Sequence, residues 1–376
     1  MLKNNKIAIV VNDSWAAYNF RLNLGRALKE AGYEIVYICP RNEYSKLIEK
    51  EFQFIDVKLD TKGTNPIEDI CTIYRFYKLY KEIQPSVILH YSIKPNIYGT
   101  IAAGILNIDS INNIAGLGTL FIKTNIVTKI AKYLYKFSQK RASKVFFQNK
   151  DDFKIFVDEK LVDKSKCAIL PGSGVDINKF KPIPKKPNNK FVFLLVARML
   201  WSKGISEYVE AAKIIQKSHN NVEFQLLGQI GVLSPTAIPK TQIEEWDASG
   251  VINYIGTSDN VQIEIGQSDC VVLPSFYREG TPRVLLESAS MEKPIITTNN
   301  VGCKDVVDDG SNGYICKIKD PIDLAKKMKL MIELTENERN IMGKNGRIKI
   351  INQYDEKIVI KNYLDSIENL NQEIIK

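Results

Sequence analysis

The chain alternates between short, continuous apolar runs and segments with helical periodicity, and it does so once in each half of its 376 residues. In the first half "KIAIVV" (6–11), "EIVYICP" (34–40), "SVILHYS" (86–92), "DSINNIA" (109–115) and "KVFFQNK" (144–150) read as strands. Between the first two, Leu24, Ala27, Leu28 and Ala31 recur at helical spacing, and Gly32 closes that helix. Strands that are apolar on both sides belong in a sheet covered on both faces. Strand-helix alternation makes that sheet mostly parallel.

The rhythm breaks at 171–190, "PGSGVDINKFKPIPKKPNNK", whose Gly, Pro, Lys and Asn read as a linker. It restarts with "FVFLLVARM" (191–199) and continues through "VEFQLLG" (222–228), "VINYIG" (251–256), "CVVLPS" (270–275), "PIITT" (294–298) and "GYICK" (313–317). The expectation is two Rossmann-like α/β domains, 1–180 and 181–355, facing each other across a cleft. A closing amphipathic helix, 356–376, has no strand after it and is expected to pack back on the first domain. The length suits two domains of roughly 150–200 residues. Such open sheets bind ligands outside the carboxyl ends of their strands, so the loops there hold the candidates.

A net charge of +9 favours anionic partners. The six cysteines form no C-x-x-C pair, which argues against zinc or a disulfide framework and for reduced thiols in the cytoplasm. "MLKNNKIAIVV" passes straight from a basic start into a strand, so no leader is expected. No apolar run approaches the ~18–20 residues of a membrane span. Only His90 and His219 are available to a mechanism needing histidine.

The stretch "YREGTPRVLLE" (277–287) concentrates chemistry at one strand end. Thr281 is expected as N-cap and Pro282 at the first position of the helix "PRVLLESASM". The amino end of that helix is then an anion site. Glu279 precedes it and Glu287 lies in its second turn, too far apart to grip one atom but able to hold two parts of one extended ligand. In "ARMLWSKG", Arg198 and Lys203 rise from the neighbouring edge and suit a diphosphate. Singly, each also fits an ordinary solvated turn.

In combination these residues resemble the retaining GT-B glycosyltransferases of the family-four, group 1 type. "SFYREGTPRVLLESASMEKPIITTNNVGCKDVVDDGSNGYI" is similar to their donor-binding segment, "VARMLWSKGISEYVEAA" to their Arg/Lys segment and "GSGVDINKF" to their interdomain motif. "NNIAGLG", "KPNIYGTIAA" and "YNFRL" resemble the acceptor half of bacterial members that act on lipid-linked sugars. The resemblance implies a UDP-sugar donor in the second domain. Glu279, Arg198 and Lys203 would be catalytic, Glu279 meeting the sugar and the two cations the leaving diphosphate. Gly228, Gly280, Thr281, Pro282 and Glu287 would complete the donor site, Glu287 at the ribose. No metal or other cofactor is implied. Asp151–Asp152 and Asp308–Asp309 read as helix-start and turn residues.

The first half departs from the family pattern. Asn12 sits in "NDSWAAYNF", where relatives carry a Gly-rich loop, and Asn112 and Asn113 stand where many carry a histidine. Asn12, Arg21, His90, Asn113, Gly116 and Gly118 remain the acceptor-side candidates. His90 is expected at a cleft-facing strand end, with a satisfied structural histidine as the alternative. The stretch 123–144 carries Lys129, Lys132, Lys136 and Lys140 and no acid, with Ile126, Val127, Ile130, Leu134 and Phe137 interleaved. It is either a surface helix with its apolar side on the core or an interfacial helix drawn to anionic lipid. No aromatic platform or readout motif points to nucleic acid.

The reading is a retaining enzyme that moves an N-acetylhexosamine, GalNAc or GlcNAc, from UDP to a polyprenyl-diphosphate-linked saccharide on the inner face of the plasma membrane. The rivals are a UDP-sugar epimerase on the same fold, which would need cleft histidines and acids this chain lacks, and a non-catalytic protein of anionic membranes.

Overall fold

The computed structural model describes residues 5–60, 63, 65–117 and 126–373. The chain divides into unit 1 (residues 1–173 and 359–376) and unit 2 (174–358).

Unit 1 is built on strands β1 (Lys6–Val10), β2 (Glu34–Cys39), β3 (Gln53–Asp56), β4 (Val87–Tyr91), β5 (Asp109–Ile114), β6 (Lys144–Phe147) and β7 (Cys167–Ile169). Their order is β3-β2-β1-β4-β5-β6-β7 and every pairing is parallel. Parallel neighbours need crossovers, and the intervening helices supply them. These are α1 (Ser14–Glu30), α2 (Ser45–Ile48), α3 (Pro66–Ile83), a π turn (Pro95–Gly99) running into α4 (Thr100–Ile105), α5 (Ile126–Gln139) and α6 (Lys150–Asp158). One sheet face carries α3, α4, α5 and α6, packed through Phe76, Ala102, Tyr135 and Phe156. On the other face lie α1 and α13 (Glu356–Glu373), through Leu28, Val359, Tyr363 and Ile367. The last helix therefore completes the core of unit 1, as its amphipathic pattern anticipates. Tyr363 is fully buried edge-on to Phe146, and its hydroxyl accepts from Asn113 Nδ2 at 3.0 Å.

Unit 2 repeats the design with β8 (Phe191–Val196), β9 (Val222–Leu227), β10 (Asn253–Tyr254), β11 (Cys270–Leu273), β12 (Ile295–Thr298) and β13 (Gly313–Cys316). The order is β10-β9-β8-β11-β12-β13, again parallel throughout. Its helices are α7 (Ile205–Gln216), α8 (Lys240–Ala248), α9 (Val261–Gln267), α10 (Arg283–Ser290), α11 (Pro321–Glu333) and α12 (Glu336–Gln353). Leu285, Leu286 and Ala289 of α10 and Ile265 of α9 pack on one sheet face, while Tyr208 of α7 and Met328 of α11 pack on the other.

Each sheet has one topological switch point, where successive connections leave in opposite directions: between β1 and β4 in unit 1, and between β8 and β11 in unit 2. The strand ends part there and leave a crevice, the usual ligand position in doubly wound sheets. No helix among the described residues is long and apolar enough to cross a membrane.

Candidate functional site

In unit 2 the two loops that leave the switch point carry the residues singled out by sequence. After β8 the chain passes Arg198 and makes a short 3-10 turn, Trp201–Lys203. Gly204 then enters α7 with φ 78°, a left-handed conformation that glycine adopts most readily. A Cβ on Gly204 would also lie 2.1 Å from the Pro274 carbonyl oxygen. The β8 loop thus sits directly against the β11 loop. The amides of Phe276 and Tyr277 stitch them together by donating to the Ser202 carbonyl, each at 3.0 Å.

This stitching brings Lys203 Nζ onto the Glu279 carboxylate, which also accepts from Ser275 Oγ at 3.1 Å. Both charged side chains are largely buried. Lys203 Nζ additionally lies 5.5 Å from the centre of the Tyr277 ring. Arg198, in contrast, is exposed and has no acidic partner among the described residues. Gly228, at the end of β9, packs so closely on the β8 loop that a Cβ would stand 1.8 Å from Ala197 O. Its own amide donates to Gly256 O at 2.7 Å.

The helix start differs by one residue from the expectation: α10 begins at Arg283, with Pro282 rather than Thr281 at the N-cap. Proline in extended conformation ends the preceding loop without supplying a side-chain cap. Glu287 is buried, and Arg283 Nε donates to its Oε1 at 3.0 Å. Burial pushes the Glu287 carboxyl up, and the Arg283 guanidinium offsets part of that. The four elements that were expected to meet a donor therefore do not form one cluster. Lys203 and Glu279 are in contact, Arg198 stands out from the same loop, and Glu287 is tied to Arg283.

Several supporting residues were not singled out from sequence. Thr298 Oγ1 donates to Ser275 O at 2.5 Å, and Asn300 Nδ2 donates to Tyr277 O at 2.7 Å. The β12 end therefore holds the loop that carries Glu279. Gly302, φ 79°, backs onto Gly280 so tightly that a Cβ would stand 1.9 Å from its oxygen. The readable signal was "TTNNVG", polar residues and a glycine directly after a buried strand. Cys303 is buried and its thiol is pushed up to about 12, first by burial and then by the charge of Glu279. It stays protonated and offers no nucleophile. Among the described residues no group of His, Cys, Asp and Glu is arranged to hold a metal ion.

The switch point of unit 1 is organised differently. Asn12 accepts from Ser92 Oγ at 2.6 Å, which ties the end of β1 to the end of β4. Asp13 caps α1 by accepting from Trp15 N at 3.2 Å, and it also takes Asn42 Nδ2 at 2.9 Å. Three acceptor-side expectations need correction. His90 does not face a cleft: it is fully buried, within hydrogen-bond distance of Tyr80 Oη (2.9 Å) and Asn112 Oδ1 (3.0 Å). Asn112 Oδ1 can only accept, so Nδ1 carries the proton and Nε2 accepts from Tyr80. Burial drives the imidazole pKa down to about 3. Asn113 is buried as well, accepting from Gln148 Nε2 at 3.1 Å and donating to Tyr363. Arg21 is neither exposed nor ion-paired at the surface; its guanidinium lies over Tyr91 at 4.1 Å and donates to Phe20 O. His90 and Asn113 lie on strands that helices cover on both faces, and Arg21 lies on the buried side of α1. Gly116 follows β5 with φ 101°. Gly118 lies outside the described residues.

Lys129 and Lys136 of α5 and Lys140 just after it are exposed, whereas Lys132 pairs with Glu159, the C-cap of α6, at 2.7 Å. The apolar residues of this helix divide: Leu134 packs against the core beside Tyr135, but most of the interleaved apolar positions do not. Thr128, Ala131, Tyr135, Ser138 and Gln139 do, and Ile126, Ile130 and Phe137 point outward.

Comparison with known proteins agrees with this architecture. Residues 176–349 match the family model "Glycosyl transferases group 1", and residues 6–149 match "Glycosyl transferase 4-like". The chain is 28% identical to the N,N'-diacetylbacillosaminyl-diphospho-undecaprenol alpha-1,3-N-acetylgalactosaminyltransferase of Campylobacter jejuni, over 96% of this chain and 97% of that one. It is 26% identical to the UDP-Gal:alpha-D-GlcNAc-diphosphoundecaprenol alpha-1,3-galactosyltransferase of Escherichia coli, over 81% and 79% of the two chains. Among solved structures, a glycosyltransferase of Rickettsia africae superimposes with TM-score 0.81 at 18% identity, covering 98% of each chain. Anabaena HepE in complex with UDP-glucose does so with TM-score 0.80 at 15% identity, covering 97% of this chain and 99% of that one. Two parallel α/β units, each with its own family match, make this chain a glycosyltransferase of the GT-B group 1 family.

Proposed function

We propose that the protein transfers an N-acetylhexosamine, GalNAc or GlcNAc, from a UDP-sugar bound in unit 2 to a polyprenyl-diphosphate-linked saccharide, with retention of configuration and without a metal. The observation that carries this reading is the Lys203–Glu279 pair at the unit 2 switch point, beside the exposed Arg198. Before a donor arrives the two charges neutralise each other. A diphosphate draws Lys203 toward its oxygens, and the carboxylate is released to accept from sugar hydroxyls. As the glycosidic C–O bond breaks, its electron pair leaves with UDP. Arg198 and Lys203 then stabilise charge that exists only on the way to products, which is where stabilisation accelerates a reaction. The acceptor hydroxyl attacks from the same face and its proton passes to the departing diphosphate. No protein nucleophile is needed. Glu287 reaches the ribose only if Arg283 shares it or lets go.

Lipid-linked acceptors are named for both bacterial relatives, and the UDP donor is supported by the UDP-glucose complex of a structure with the same fold. In this reading the enzyme works at the inner face of an anionic membrane, drawn there by Lys129, Lys132, Lys136 and Lys140. The test is release of UDP from a panel of UDP-sugars, with and without undecaprenyl-diphosphate-linked saccharide. Release should depend on acceptor, persist in EDTA, and fall about 100-fold or more in Lys203→Ala and Glu279→Ala. Release from no donor, or release abolished by EDTA, contradicts the proposal.

A further inference from the structure

The outward face of unit 1 carries two apolar stripes that its own core leaves uncovered. On α5, Ile130 is 55% and Tyr133 71% exposed, with Ile126 and Phe137 on the same side. These positions follow the i, i+4, i+7, i+11 pattern of a single helix face. The opposite face, which meets the sheet, is made of Thr128, Ala131, Tyr135, Ser138 and Gln139. On α3, Ile67 is 73% and Tyr74 65% exposed, with Ile70 between them, while Thr72, Phe76, Tyr80 and Ile83 face inward. Both helices cover the same face of the unit 1 sheet and both pack against the π turn that leads into α4. Their outward stripes therefore point away from that sheet face together. Single exposed apolar side chains are ordinary, but two aligned stripes on one surface mark something that covers them.

The charges around the stripes indicate the partner. Lys129, Lys136 and Lys140 flank the α5 stripe, and α5 contains no acid. The acids nearest the α3 stripe are already neutralised: Glu68 by Arg75 and Asp69 by Lys94, at 2.7 and 2.8 Å. Glu159 is taken by Lys132. A second copy of the chain would set these lysines against themselves in a two-fold interface, which like charges disfavour. An anionic surface with an apolar layer beneath it matches both features.

We propose that unit 1 docks on an anionic bilayer by inserting both stripes, α5 through Ile130, Tyr133 and Phe137 and α3 through Ile67, Ile70 and Tyr74. This rests on the membrane reading above and deepens it: the lysines attract, and the two apolar stripes insert. Tyrosine suits this position, since its ring can sit among acyl chains with its hydroxyl at the headgroups. Lysine stems can likewise lie along the apolar layer with their ammonium groups at phosphate level.

Co-sedimentation of the full chain with vesicles of phosphatidylglycerol and phosphatidylcholine, and of phosphatidylcholine alone, tests this without any need for turnover. The protein should bind the anionic vesicles, and salt should weaken that binding. Ile130→Ser with Tyr133→Ser, and separately Ile67→Ser with Tyr74→Ser, should each reduce binding roughly tenfold or more. Lys129→Glu with Lys136→Glu should do the same. Ile130→Trp and Ile70→Trp should each shift their fluorescence to the blue on anionic vesicles. These are surface positions, so UDP affinity and melting temperature should stay unchanged in every variant. Native-like vesicle binding in the α3 variant, or an unshifted Ile70→Trp, overturns the two-stripe proposal. Equal binding to the zwitterionic vesicles overturns its electrostatic half. A dimer that the same substitutions dissociate, with no vesicle binding, overturns it in favour of self-association. Any of these outcomes leaves the donor reading standing, because UDP binding is measured in the same samples.

Discussion

The two switch points share a topology and differ in what occupies them. In unit 1 the crevice is furnished with the chain's own polar groups. Asp13 caps the helix that follows β1, Ser92 holds Asn12, and Arg21 lies over Tyr91. In unit 2 the corresponding helix, α7, begins at Gly204, and α10 begins behind Pro282; neither N-cap carries a capping side chain. The cations there stand at the loop: Arg198 is exposed and Lys203 is held by Glu279. A helix start that its own carboxylate already caps repels a second anion, whereas a helix start without a side-chain cap beside an exposed cation attracts one. The contrast at these two helix starts is thus Asp13, a capping carboxylate, against Gly204, which has no side chain to cap with.

The largest effect expected within this comparison is structural. Unit 1 depends on a helix from the far end of the chain, so Tyr363→Ala should cost about 3–5 kcal/mol, the range for emptying a buried aromatic site. It also leaves Asn113 Nδ2 without its hydroxyl partner. Urea denaturation followed in each unit separately should show the unit 1 transition shifted. A shift confined to unit 2 would break the assignment of α13.

Next in size is a pH effect that belongs to unit 1 alone. The His90 pKa lies at about 3 in the fold, against roughly 6.5 in an unfolded chain. The unfolded state therefore binds the extra proton first. This contribution is complete above about pH 6.5 and is lost as pH falls toward 3, at roughly 1.4 kcal/mol per unit. Between pH 7 and 5 that amounts to about 2 kcal/mol. His90→Asn should lower stability at pH 7 yet remove most of this slope, and denaturant midpoints at the two pH values would show it. An unchanged slope would mean that His90 is not the group responsible.

The smallest effect sharpens the comparison most. Asp13→Ala removes the cap of α1 and should cost about 1 kcal/mol of stability. It should leave UDP affinity unchanged, as titration of the variant would show, because the proposed anion site lies in the other unit.

Much of this contrast was legible in the sequence. Continuous apolar runs mark parallel strands buried on both faces, and β1, β4, β8 and β11 lie where those runs do. Loops at the carboxyl ends of strands are the candidates in any such sheet, so Arg198, Lys203 and Glu279 group together from the sequence, and the structure puts Lys203 and Glu279 in contact. The start of α10 was misplaced by one residue because threonine and proline each have a plausible capping role, and only backbone geometry separates them. His90 and Asn113 were misplaced for a different reason. Strand periodicity gives the side a residue faces, but not whether something covers that side. Here the π turn covers His90, so closely that a Cβ on Gly99 would stand 2.5 Å from its Nε2. The same limit applies to α5. Its periodicity shows an apolar stripe, but a sheet face that accepts Thr128, Ser138 and Gln139 is a tertiary fact.

The central claim is that the unit 2 switch point holds a nucleoside diphosphate through Lys203 and Arg198. Calorimetric titration of UDP into the wild type, Lys203→Ala and Arg198→Ala tests it most directly. The account predicts one site in the wild type, weakened about tenfold or more in each variant, as expected when a charge-assisted contact to phosphate is removed. Equal affinity in all three proteins would contradict it.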